Sequence, residues 1–173
     1  MTDRLSVMAR YNAWANHTLF RAVGDLSDDA FRADRGVFFR SLRGTLNHVL
    51  VADRLWMGRF TGRPEPGLRL DAILFDGFEA LHAARQAEDT RIMSYVDGLD
   101  AATLAETFTY TRATAPGTYV AELGPALDHV FNHQTHHRGQ AHAVLTGLGA
   151  AAPALDLMAF YAEVGYGGLI RLT

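Results

Sequence analysis

The chain has 173 residues, 49% hydrophobic and 20% charged, with a formal net charge of −3. That balance fits a soluble globular domain with a core of its own, and no basic run is present to track a phosphate backbone, so nucleic acid is not an expected partner. With no cysteine, disulfides, thiolate metal sites and cysteine nucleophiles are excluded.

The first residues, MTDRLSVMARYNAW, carry no apolar leader core, and no apolar run approaches the ~18 residues of a membrane span. The expectation is a cytoplasmic protein without membrane contact, folded as one domain over residues 1–173.

In chain order, residues 3–23 read as a helix. Leu5, Met8, Ala9, Ala15, Leu19, Phe20 and Val23 recur at three- and four-residue steps and Gly24 ends it. Asn12, Asn16 and His17 are expected at the surface or a helix end, where polar groups usually lie. A short helical turn follows Ser27. Ser41 suits the N-cap of a second helix reaching Phe60. Its middle, Leu46 to Ala52, is apolar almost all round, so His48 is expected in the interior. Thr61 to Gly67 is a breaker with two prolines and two glycines.

A third helix is expected from Ala72 or Asp76 to Val96, closed by Asp97-Gly98, and Asp100 suits the cap of a turn through Leu104. Phe108–Thr111 and Thr118–Val120 flank Ala115-Pro116-Gly117 with β-branched and aromatic residues, the pattern of a small hairpin. Pro125 suits the first position of a long fourth helix through Leu145, and a last short helix spans Ala154 to Val164. The expected fold class is all-α: a four-helix bundle with a small accessory hairpin and a short C-terminal helix. The long joins between its first three helices allow crossovers.

Five of the eight histidines, His129, His133, His136, His137 and His142, fall on the fourth helix. At 100° per residue, Leu127, Val130, Phe131, Ala141, Val144, Leu145 and Leu148 form one stripe. His137 lies about 40° and His133 about 80° from its middle. Four residues apart, those two imidazoles share a side, one turn above the other. His129, His136 and His142 point elsewhere, with His136 as the reserve.

Two imidazoles so spaced, with His48 as a third, make an open metal site with room for water or substrate. The competing reading makes each a hydrogen-bonded core histidine. Asp53 and Arg138 also fall on apolar faces, where each needs a partner. An ion pair, or bonds to backbone carbonyls, is expected for them, against a snorkelling Arg138. Gln140 is placed to hydrogen-bond near His136 and His137.

Tyr11-Asn12-Ala13-Trp14-Ala15-Asn16, Leu46-Asn47-His48 with Asp53, Trp56 and Arg59, Asn132 to Gln140, and Asp156 to Phe160 together resemble the DinB family of DinB/YfiT-like metalloenzymes over nearly the whole length. The resemblance implies a four-helix bundle, often dimeric, with a three-histidine site for nickel, zinc or another divalent cation. By that resemblance its ligands are His48, His133 and His137.

Relatives include thiol-dependent transferases, so a metal-dependent thiol S-transferase or hydrolase is the expected function. A low-molecular-weight thiol would be the cosubstrate, acting on a small molecule in a homodimer. The alternative is a non-catalytic metal-binding or stress-response protein with a structural or regulatory metal.

Overall fold

The computed structural model describes residues 2–65, 67–112 and 117–168. Among these, seven helices and two strands follow one another as α1 (Thr2–Gly24), α2 (Asp28–Arg32), α3 (Leu42–Phe60), α4 (Phe78–Asp97), α5 (Ala101–Leu104), β1 (Thr107–Thr111), β2 (Thr118–Glu122), α6 (Leu123–Gly147) and α7 (Leu157–Val164). Side chains that compete with the backbone for hydrogen bonds mark four of the starts. Ser27, Ser41, Asp100 and Asp156 each accept from a backbone N–H of the first turn.

Some boundaries differ from the sequence expectation. α6 starts at Leu123, two residues before Pro125. A proline fits there as well, because none of the first four N–H groups has an intrahelical partner. α4 begins at Phe78 and α7 at Leu157, where Asp156 provides the cap.

The fold is mostly helical but not purely all-α. β1 and β2 pair antiparallel, Phe108 opposite Ala121 and Tyr110 opposite Tyr119, and those four side chains are half-buried while their neighbours are exposed. The inward face packs on the end of α3, with Tyr110 against Trp56 and Phe108 edge-on to Phe60. Of the expected turn, Ala115 and Pro116 lie outside the described residues.

α1 packs against α4 and α6, and α3 against the same two helices. Two apolar clusters fill the space between them. One gathers Leu19, Phe20, Leu46, Leu50, Leu81 and Leu145; the other Leu5, Met57, Ile92, Leu127 and Phe131. α1 and α6 run from the second cluster to the first, whereas α3 and α4 run the opposite way. Because α3 and α4 are parallel, Thr61–Gly77 must carry the chain back along α3, which at 1.5 Å per residue is about 28 Å long.

Between the clusters lies a polar layer that sequence reasoning missed in part. Arg85 bonds Asp53 at 2.6 Å and pairs with Asp89 at 3.0 Å. Asn16 donates to Asp89 at 2.9 Å, and Arg138 donates to Asn16 and Asn12 and, at 3.3 Å, to Gln134. Gln134 closes the ring by donating to Asp53. All seven residues are buried, so Asn12 and Asn16 are not surface groups as expected.

Nor do Asp53 and Arg138 pair directly or reach for backbone carbonyls. They are opposite members of a ring, joined through Gln134. Burial raises Asp53 to about 7 and raises Asp89 as well, and the facing Arg85 guanidinium opposes both shifts, so acids and guanidiniums offset one another in the core. The ring draws on α1, α3, α4 and α6. Gln134 and Arg138 each follow His133 and His137 by one residue, so it also sets the rotation of α6.

Candidate metal centre

His48 comes from α3, and His133 and His137 from successive turns of α6. The Nε2 atoms stand 3.1 Å (His48–His137), 3.1 Å (His133–His137) and 3.3 Å (His48–His133) apart. Three nitrogens bound to one cation at about 2.0–2.1 Å, with ~90–109° between the bonds, lie about 2.8–3.4 Å apart, so the triangle fits a zinc-sized ion. Among the described residues this is the one group of three histidine or carboxylate donors that converges closely enough to share an ion.

Hydrogen bonds on the far side of the rings orient two of the three. His48 Nδ1 lies 2.7 Å from the Leu70 carbonyl, and His137 Nδ1 lies 2.8 Å from Gln140 Oε1. Both partners are acceptors, so each Nδ1 carries the proton and each Nε2 turns a lone pair toward the common point. Gln140 thus takes the supporting place expected from the helical wheel. Its amide nitrogen faces His136 at 3.2 Å.

Protonation does not relieve this convergence near neutral pH. Burial pushes His48 down to about 4, against the opposing pull of the Leu70 carbonyl. Burial, with His137 and His48 close by, takes His133 to about 3. His137 is lowered as well, first by burial, although Gln140 opposes the shift. Three neutral imidazoles whose Nε2 atoms converge on one point form the donor set that suits a divalent cation.

The sequence did not single out the surroundings that hold His48. Asn47 accepts from the Phe75 N–H and donates to the Phe75 carbonyl, each at 3.0 Å, clamping the returning crossover to α3. That clamp brings Leu70 to His48. On the other side, Phe39 stacks on His48 with ring centroids 3.8 Å apart and planes 17° from parallel. The stack depends on Gly44, where any Cβ would run into the Phe39 carbonyl. A small residue inside a helix, just after a pair of phenylalanines, was the available signal.

The remaining histidines stay out of the cluster. His136 is exposed, and His142 bonds the Pro153 carbonyl at 2.9 Å. His129 packs edge-on to Trp56. It lines a cavity of about 540 Å³ that His48 and His133 border, floored by Ala52, Leu55 and Trp56. The cluster therefore opens on a chamber large enough for a small molecule.

The chain is similar to known proteins in sequence and in fold. "Protein DinB" of Bacillus subtilis (strain 168) is 26% identical over 159 residues, which span 90% of this chain and 92% of that relative. A crystal structure of a DinB-like protein from Bacillus cereus ATCC 10987 matches with a TM-score of 0.62 at 13% identity, covering 81% of this chain and 89% of that one; at that identity the likeness concerns the fold. No helix among the described residues is long and apolar enough to cross a membrane. The DinB family model matches residues 1–164, and the chain belongs to that family.

Proposed function

We propose that the protein is a metal-dependent enzyme in which His48, His133 and His137 hold a divalent cation, zinc or nickel first among the candidates. The observation that carries this reading is the convergence of three bare Nε2 atoms beside an accessible cavity. A structural site would be closed by a fourth protein ligand. Here the open side is a chamber, which favours catalysis over a structural or regulatory metal.

A cation bound there would supply Lewis acidity, lowering the pKa of a water or thiol near it. The chain's own groups orient and exclude. Leu70 and Gln140 fix two imidazole planes, Phe39 shields one face of His48, and the floor of Ala52, Leu55 and Trp56 gives a substrate an apolar bed. Lacking cysteine, the protein must draw any thiol from a low-molecular-weight cosubstrate. Thiol S-transfer and hydrolysis are the two reactions to test.

The reading also includes one domain, a four-helix bundle of α1, α3, α4 and α6, cytoplasmic residence and a homodimer. The pairwise packing of those helices supports the bundle, and the family resemblance supports the rest. Metal analysis of purified protein tests the core of it. One equivalent bound by the wild type and lost in His48→Ala and His133→Ala is expected; equal metal content in all three would overturn it. A screen of thiols and electrophiles on zinc- and nickel-loaded protein then separates transfer from hydrolysis.

A further inference from the structure

The chamber beside the three histidines is unbalanced in charge. Among its lining residues are Arg59 and Arg112 and no carboxylate. No described carboxylate lies within ion-pair distance of either arginine, although most other arginines of the chain have one, as Arg4, Arg10, Arg32 and Arg40 do. Arg59 is held in place by other means. Its guanidinium lies 4.5 Å from the Trp56 ring and 5.0 Å from the Tyr110 ring, and it donates to the Thr111 carbonyl at 2.9 Å.

Only one of its N–H groups is engaged by a described hydrogen bond, which leaves further donors for a ligand. Arg112, exposed at the end of β1, stacks over Tyr119 at 5.4 Å. Both cations face His129 at the chamber's edge and help depress its proton affinity, after burial.

The chamber adjoins a groove of about 920 Å³ that shares Leu55, Arg59, Leu70, Tyr110 and Arg112. Charges in the rest of the groove are mixed. Arg69 and Asp71 pair there at 2.9 Å, and Glu65 adds a carboxylate. The part that the two cavities share thus carries both arginines and no carboxylate. A pre-positioned guanidinium beside an aromatic, apolar floor recognises a planar anion joined to an apolar body.

We infer that this chamber binds a small organic carboxylate carrying an apolar or aromatic portion, with Arg59 and Arg112 gripping the carboxylate and Trp56 and Leu55 receiving the rest. The inference takes the metal-centre reading as its frame and adds the class of substrate; the arginine grip itself does not require the metal.

The test uses 4-fluorobenzoate as probe, with uncharged 4-fluorobenzamide of the same shape as control, followed by fluorine NMR on full-length protein. Titrations are run on zinc-loaded and on metal-stripped protein. Benzoate is expected to bind at least about tenfold tighter than benzamide, in line with one charge-assisted hydrogen bond. Arg59→Met and Arg112→Met are each expected to weaken benzoate by about tenfold and benzamide by less than twofold.

Arg112 is exposed, so its variant separates binding from folding; a melting temperature is recorded for both. Loss of benzoate binding on metal stripping, with full binding kept in both arginine variants, would mean that the anion goes to the metal. That outcome overturns the arginine site and leaves the metal reading standing. Equal affinity for benzoate and benzamide would also overturn it. Conversely, arginine-dependent binding in protein that takes up no metal would support the anion site while sinking the metal reading.

Discussion

Replacing Arg138 by Met opens the buried ring at its most connected member. The guanidinium donates to the side-chain oxygens of Asn12, Asn16, Gln134 and Thr135 and is 2% exposed. Met fills much the same volume but leaves three amide oxygens without a donor and takes away a cation that faces the buried Asp89 and Asp53.

Removing one partner from a buried charged network costs about 3–5 kcal/mol. For a chain of this size that is a fall in melting temperature of about 6–20 °C, at ~2–4 °C per kcal/mol. Urea denaturation followed by far-ultraviolet circular dichroism measures it directly. The companion variant Asp89→Asn removes the negative charge across Asn16, so the double variant is expected to be less destabilised than the sum of the singles, by roughly 0.5–3 kcal/mol. A loss below about 1 kcal/mol for Arg138→Met, or strict additivity in the double variant, would refute the closed ring.

Two further outcomes concern the histidines. Gln140→Leu removes the acceptor that fixes the His137 tautomer, and a roughly 10–100-fold loss of zinc affinity in a competition titration is expected with little change in melting temperature; a change under twofold would contradict the orienting role. For the metal-free protein, His48 and His133 have folded-state values of about 4 and about 3, below the ordinary 6.5. The unfolded chain therefore takes up protons first on acidification. The stability that the neutral cluster contributes is complete above pH 6.5 and is lost as pH falls from there toward 4. Urea midpoints across that window should fall more steeply for wild type than for a His48→Gln/His133→Gln variant, and parallel curves would argue against it.

The site was more legible in the sequence than its supports. His133 and His137 could be chosen from five histidines because helical spacing alone decides which side chains share a face, and His48 because its neighbours are apolar all round. Asn12 and Asn16 were misplaced since their environment is set by Arg138 and Asp89 on other helices, which no local pattern encodes. Arg85 sits in the apolar row of Leu81 and Ile92, a visible anomaly, yet its partner Asp53 is 32 positions away. Phe39 lies in an irregular segment without periodicity, and its place on His48 follows from a close backbone approach at Gly44. The hairpin was readable from its alternation, although calling the fold all-α gave that sheet too little weight.

The crossover between α3 and α4 does two jobs with one length of chain. It is required by the parallel course of those helices, and its middle, Leu68 to Leu70, walls the groove, with Leu70 also lining the cavity. Among the described residues it is tied at several points: the Arg63 N–H on the Gly58 carbonyl, Leu70 on His48, Phe75 on Asn47, and Asp76 paired with Arg32 and Arg43. The described residues between Thr61 and Arg69 contribute no histidine of the cluster, no ring member and no side chain of either apolar cluster. Grafting this segment between related chains is therefore expected to reshape the groove it lines while leaving the core and the histidine triangle in place.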